Sequence, residues 1–485
     1  MGIKKKDLFK NISTNAKASF KTKQSKHGSL VTVSTSVIIL IVLVVNLIFG
    51  KLDIKFDLTK DKLYSLSEQT SNILNALQNE ITIMSLEESD KKNNAVRDML
   101  SKYESESKNV KVEYVDPVVN PSIVKEYSTN GENITAGSII VKNKDRFKVI
   151  SNMDMYDVDY NQGTVKGIKI EQQVTSAIDY VTNNNLPTAF VLQGHNEGTL
   201  PTTVSDSLKT ENYTVKDLNL LSEGNWEYKS SDVLIINAPQ KDLTTEEYDS
   251  VMKFFNAGGG ALFIMDYVPE GLENFNKLFD NYGIAIKPHI VVEGDNSQVY
   301  KMNTNIIPSI ESHEITNPIA NAKLPILVTA SQGIEIKDLK RSSLEVKPLL
   351  ETTDSAYSKK NQKFETIQKE DGDENGPFNL GVAVSDKLDN EALGSAKLVV
   401  ITSKQIGDPQ LVNLTKGGNL DLIMNSMNWL TERENNISIR SKNIQPEQIM
   451  IQQNQFYVLA MFSVIALPLV FAIAGVVVWM KRKHL

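Results

Sequence analysis

VLQGHNEG, residues 191–198, is an apolar run that halts at Gly194 and gives way to His195, Asn196, Glu197 and a second glycine. Its upstream part, TAFVLQG, reads as a strand. VSDSLKTEN then reads as a helix, YTVKDLNL and SDVLIINAP as strands, TTEEYDSVMKFFNAG as a helix, GALFIMDY as a strand and LENFNKLFDNYG as a helix. Strands alternating with amphipathic helices predict an α/β domain with a mostly parallel sheet covered on both faces, here over residues 186–455. VLQGHNEG falls where the first strand hands over to its helix, at the sheet edge where open α/β folds usually keep their sites. From about residue 285 the pattern loosens into IAIKPHIVVEG, LPILVTAS and LEVKPLLET. The stretch 354–376 is dense in charge and short of core-forming side chains, which predicts a mobile loop. NLGVAVSD and AKLVVITS restore two strands, and LDLIMNSMNWLTEREN (420–435) predicts an amphipathic helix.

Residues 51–185 form a separate unit. Ser65 and Glu68 have capping-box spacing and start a helix expected over about 66–79. ITIMSLEE is a strand, NAVRDMLSKYESES a helix, NVKVEYVDP a strand and SIVKEYS a short helix. GSIIV and RFKVI are a strand pair, and IEQQVTSAIDYVTNN is a closing helix. The order βαβαββα is that of thioredoxin-like domains. The loop EESDKKNN carries no Cys-x-x-Cys, and the chain has no cysteine, so thiol chemistry is excluded.

Two stretches depart from globular patterning. Residues 29–50 and 456–480 are uncharged, and each is long enough to be a transmembrane helix. The tail 1–28 holds eight lysines against Asp7 alone, and Lys481, Arg482 and Lys483 follow the second stretch within the tail 481–485. The positive-inside bias predicts that both termini are cytoplasmic and that residues 51–455 are an extracytoplasmic domain of a cell-membrane protein. Residues 3–18 can also lie along an anionic lipid leaflet. Between the basic flanks the chain is acidic by about 17 charges, which argues against nucleic acid as a partner.

His195 and Glu197 are the candidate catalytic pair, since histidine shuttles protons near neutral pH and a carboxylate can orient it. An envelope hydrolase needs more: the loop has no Gly-x-Ser-x-Gly elbow, and His289 and His313 lie in segments without paired metal-ligand spacing. The alternative is structural. Gly194 makes the turn while His195, Asn196 and Glu197 bond to loop backbone or cap a helix, each bond contributing about 1 kcal/mol. NAGGGALFIMD (256–266) lies after a helix and before a strand, the reverse of a phosphate loop, so helix capping is expected there and no cofactor is called for. A ligand sensor is the third reading, disfavoured by tails too short for an output domain.

FDLTKDKLYSLSEQTSNIL, VEYVDP, VLQGHNEG, SDVLIINAPQ, FFNAGGGALFIMD and GNLDLIMNSMNWL, in this order between the two apolar stretches, resemble the GldG-type auxiliary components of ABC transporters. The resemblance implies a non-catalytic, membrane-anchored subunit working with a separate ATPase and a separate permease, and a homo-oligomer within the complex is compatible with it. On that reading the outer domain gates or hands over substrate, or couples the pump to the envelope. Residues Gly194, His195, Asn196 and Glu197 stand where the family usually has Gly-His-Gly-Glu, and Asn196 is the departure. Asn tolerates the left-handed backbone that the missing glycine would supply. SKQIGDPQ (403–410) also departs from the family's usual Gly-Asp-Ser/Ala stretch.

Overall fold

The computed structural model describes residues 33, 35–45, 47, 65–128, 134–144, 146–159, 163–222, 226–269, 271–360, 367–390, 393–433, 439–444 and 461–483. The chain divides into two compact units, Met1–Lys62 and Leu63–Leu485. In the first, the described residues from 33 to 47 are helical, and Ile38, Leu40 and Leu43 are exposed. In the second, Leu467–Lys483 is a helix that also exposes apolar side chains. Among the described residues no helix is long and apolar enough to cross a membrane, so the two predicted transmembrane helices are not supported there. The segments 29–50 and 456–480 lie partly outside the described residues.

The second unit opens with α1 (Glu68–Asn75). Its N-cap is Ser67, whose side chain accepts the Thr70 N–H, so the helix starts at Glu68 and is shorter than expected. The Ser67 N–H is itself held by the Glu171 carboxylate at 2.6 Å, a tertiary bond that no local pattern announces. There follow β1 (Ile81–Leu86), α2 (Asn94–Glu106), β2 (Val110–Val115), α3 (Pro121–Tyr127), β3 (Ile139–Asn143) and β4 (Arg146–Ile150). They build a four-stranded sheet in the order β2-β1-β3-β4, with β1 and β2 parallel and β3 antiparallel to both β1 and β4. A hairpin then intervenes that the sequence pattern does not signal, β5 (Tyr156–Asp159) and β6 (Thr164–Ile168), before α4 (Ile170–Thr182). The distant strand Lys442–Asn443 pairs with β6. One core packs Ile81, Ile83, Val110 and Val141 beneath α2 and α4, and a smaller one forms around Met84, Leu86, Ile140 and Tyr127.

Among the described residues the large sheet has twelve strands, one of them the short strand Ser309–Ile310, which pairs with Leu344–Glu351. Its first half comprises β7 (Thr188–Leu192), α5 (Thr202–Thr210), β8 (Thr214–Leu218), β9 (Val233–Asn237), α6 (Thr245–Asn256), β10 (Gly260–Ile264) and α7 (Glu273–Asn281). Its second half comprises β11 (Ile284–Val292), β12 (Gln332–Ile336), β13 (Leu344–Glu351), β14 (Tyr357–Lys359), β15 (Glu374–Asn375), β16 (Asn379–Lys387) and β17 (Ser395–Ile401). The buried helix α8 (Gly418–Leu430) closes the domain. Five neighbours, β17-β10-β9-β7-β8, run parallel. From β17 outward through β16, β12, β11, β14 and β15, and from β16 to β13, every pairing is antiparallel. The sheet is therefore mixed, not mostly parallel: after α7 the strands connect without the crossover helices that parallel pairing requires.

Two further expectations change. The stretch 354–376 carries β14 and β15, and Lys359 is fully buried and ion-paired with Glu370 at 2.8 Å and Asp373 at 3.4 Å. Its charges are anchors at the sheet margin, although residues 361–366 lie outside the described residues. Helix α8 is buried nearly all round instead of amphipathic, because it is covered by the sheet on one side and by α5 and the helix Asn317–Asn321 on the other. Val204, Leu208, Leu422 and Met427 fill this face, and Phe254, Phe255, Phe275 and Phe279 from α6 and α7 fill the opposite one. The glycines at 258–260 end α6 as expected: Gly258 takes φ +87°, and the Gly259 and Gly258 N–H groups bond back to Phe254 and Phe255.

Candidate functional site

β7 ends at Leu192, and the chain reverses through Gly194 at φ +120° and Asn196 at φ +55°. These two left-handed residues turn the His195 ring inward, where it is 4 % exposed. Its Nδ1 lies 2.9 Å from Glu197 Oε1 and its Nε2 lies 3.0 Å from Glu247 Oε2. Glu197 Oε2 also accepts the His195 N–H at 2.8 Å. Glu247 is the third residue of α6, and its carboxylate accepts the Thr244 N–H at 2.9 Å in a complete capping box. One carboxylate therefore caps α6 and binds the ring of another loop. The Thr244-x-x-Glu247 spacing signals the helix start but not the meeting with His195, so Glu247 is absent from the candidate residues of the sequence.

Burial works to lower the His195 pKa, but the hydrogen bonds to Glu197 and then Glu247 outweigh it and raise it. Glu197 and Glu247 are likewise disfavoured as anions by burial. His195 bonding for the first, and the Thr244 N–H followed by His195 for the second, lower both pKa values nonetheless. Both ring nitrogens are thus engaged by carboxylates of the protein, an arrangement that favours the protonated imidazole.

The surrounding backbone closes the same place. The crevice between β7 and β9, beyond their C-terminal ends, is the usual ligand position in such a sheet. Here the Gly198 N–H bonds to Asn237 O, Asn237 Nδ2 returns a bond to Gly198 O at 2.7 Å, and His195 O accepts the N–H groups of Gln240 and Lys241. The loop after β7 is thus sewn to the loop after β9. Further along the edge, Lys404 pairs with Asp266 at 2.8 Å, and Asp408 caps the helix Pro409–Leu414, so the SKQIGDPQ stretch also has structural work. His313 is buried against Trp429, with its pKa pushed down to about 4 by burial, and its Nδ1 accepts the Ile315 N–H. Among the described residues, no group of three or more His, Asp or Glu side chains is arranged to hold a metal ion.

Residues 181–426, just over half of the chain, match the family described as "ABC-type uncharacterized transport system". The chain belongs to this family. It is an auxiliary component of ABC-type transport, and the matched region contains His195, Glu197, Glu247 and the loops that join β7 to β9. Residues 60–156 match a domain of unknown function (DUF7088). No curated protein matches the sequence. Among solved structures, the mmIFT52 N-terminal domain is 18% identical, with 50% of this chain and 97% of that one covered at a TM-score of 0.36. PurLQS from Thermotoga maritima is 10% identical, with 51% and 100% covered at a TM-score of 0.25. The NTD_N/C domain of alkylhydroperoxide reductase AhpF from Enterococcus faecalis is 12% identical, with 32% and 78% covered at 0.18. Likenesses this weak carry no argument about this auxiliary component.

The left-handed backbone at Asn196 makes a specific prediction. Asn196→Gly should change unfolding free energy by less than about 1 kcal/mol, because relief of the left-handed strain offsets the added freedom of the unfolded chain. Asn196→Val should lower it by about 1–3 kcal/mol, as a β-branched residue is poorly tolerated there. Denaturant titration of the two variants checks both, and equal effects would refute the backbone argument.

Proposed function

We propose that the chain is a non-catalytic, membrane-anchored subunit of GldG type, which joins a separate permease and a separate ATPase. Residues 51–185 are read as a thioredoxin-like scaffold without redox function, on the strength of the strand order β2-β1-β3-β4 and the absence of cysteine. Residues 29–50 and 456–480 are read as the two spans, with both termini cytoplasmic and 51–455 outside. The observation that carries the non-catalytic reading is the closed switch-point crevice: His195 is committed on both ring nitrogens, and the β7 and β9 loops bond to each other across the place where a substrate would lie. The outer body then gates or hands over substrate, or couples the pump to the envelope, while the partner ATPase supplies energy.

The test is purification of the full chain from membranes in mild detergent through a C-terminal tag. A permease and an ATPase should accompany it in fixed ratio, since two helices are too few to enclose a path and no phosphate loop is present in the sequence. Recovery of the chain alone, active in transport after reconstitution, would overturn the reading.

A further inference from the structure

Three basic side chains lie close together in the segment that leads from α8 toward the second apolar stretch, and each meets a carboxylate of the body. Arg433 pairs with Asp179 at 2.5 Å and also donates to Glu211 O at 2.9 Å. Arg440 pairs with Asp421 of α8. Lys442 pairs with Glu171 at 2.6 Å, and its Nζ also donates to Ser65 O at 2.5 Å.

Ser65 belongs to the opposite end of the body, the segment that follows the first apolar stretch. Glu171 takes hold of that segment too. Its Oε1 accepts the Ser67 N–H at 2.6 Å and the Thr70 hydroxyl at 2.8 Å. Glu171 is 2 % exposed and Lys442 is 7 % exposed, so water does not screen the pair. The approach is close: a Cβ on Gly167 would come within 2.2 Å of Ser441 Oγ and 3.0 Å of Lys442 O. The segments that lead to the two apolar stretches are therefore fastened to each other at one buried carboxylate.

Glu171 stands in the first turn of α4. The later part of the same helix holds the large domain, where Asp179 accepts from Arg433 and from Asn212 Nδ2 at 3.0 Å, and Ser176 O accepts from Asn212 Nδ2 at 2.8 Å. Eight residues of α-helix separate Glu171 from Asp179, a rigid span of about 12 Å.

We propose that Glu171 and Lys442 form a single clasp joining both membrane-side segments, and that α4 carries displacement of this paired stem to the junction between the two sheets. The proposal rests on the two-span reading for its membrane role, but the clasp itself lies wholly within the described body. A subunit built this way meets the membrane through one joint instead of two independent tethers. Its partners would then move the body by moving the pair of segments together.

Hydrogen exchange on the full chain in detergent tests the clasp. Lys442→Met should speed exchange at 65–70 by at least about tenfold, although these residues are remote in sequence, and Glu171→Gln should speed it at both 65–70 and 440–444. Arg440→Gln should loosen 439–444 and leave 65–70 unchanged. If a single variant fails to fold, the double variant Glu171→Leu/Lys442→Met removes both charges together and gives the same readout, because the Ser67 N–H and Ser65 carbonyl still lose their partners. Unchanged exchange at 65–70 in Lys442→Met or in the double variant overturns the clasp. Failure of the two-span reading would show separately, as an N-terminal tag open to protease outside intact cells while the exchange pattern is retained.

Discussion

His195→Ala should lower the unfolding free energy by about 3 kcal/mol, toward the lower end of the cost of breaking a buried ion pair. The ring is buried between two carboxylates whose side chains are 2% and 3% exposed, and its removal leaves both facing a cavity. Each carboxylate keeps one backbone partner, the His195 N–H for Glu197 and the Thr244 N–H for Glu247, which limits the loss. A turn residue bonded only to loop backbone would cost nearer 1 kcal/mol, the expectation from sequence. The effect should depend on pH. The raised His195 pKa contributes stability that is full below the ordinary imidazole value of 6.5 and fades as pH rises through the folded value. The lowered Glu197 and Glu247 values contribute stability that is full above 4.5 and fades as pH falls through the folded ones. The difference between wild type and variant should therefore be widest between about 4.5 and 6.5 and narrow on both sides. Denaturation at a series of pH values measures it, and transport-dependent growth should follow the amount of protein that reaches the membrane. A variant of normal stability and normal assembly that no longer supports transport would make His195 chemical.

The parts of this architecture that the sequence makes legible are those whose signals are local. TAFVL, VLIIN and GALFI are buried on both faces and read as uninterrupted apolar runs, so β7, β9 and β10 stand out and imply parallel neighbours. Leu344–Glu351 and Asn379–Lys387 are equally strand-like, but their antiparallel pairing is fixed by contacts distant in sequence, which periodicity does not record. Strands β5 and β6 are polar and their described side chains are partly exposed, and Lys442–Asn443 from the far end of the body pairs with β6 in their sheet. The same division runs through the site. Glycines bracket residues 195–197, so the turn is visible, and the left-handed preference at 196 follows from the residue type. The second carboxylate comes from a helix start some fifty residues away, and only the fold brings it to the ring.

Asn419 offers the second large effect, in the motif that closes the family resemblance. Its side chain is fully buried and treats the backbone of Leu327 as a strand neighbour would: Oδ1 accepts the Leu327 N–H at 2.9 Å, and Nδ2 donates to the Leu327 carbonyl at 2.8 Å. Gly418 permits the approach, since a Cβ there would come within 2.3 Å of Pro325 O. The Gly-Asn pair thus lets the start of α8 seat against the segment before the strand Val328–Thr329 and then locks it. Asn419→Ala leaves the N–H and the carbonyl of Leu327 buried without these partners, each costing about 1–3 kcal/mol, so a total loss of about 2–6 kcal/mol is expected. Asn419→Asp keeps the acceptor but sets a carboxylate oxygen against the Leu327 carbonyl and buries a charge, so it should be at least as harmful near neutral pH and milder in acid. Unfolding curves at pH 7 and pH 4.5 separate the two variants. If Asn419→Ala lies within about 0.5 kcal/mol of wild type, the range of an ordinary surface substitution, the lock contributes nothing and the Gly-Asn pairing needs another cause.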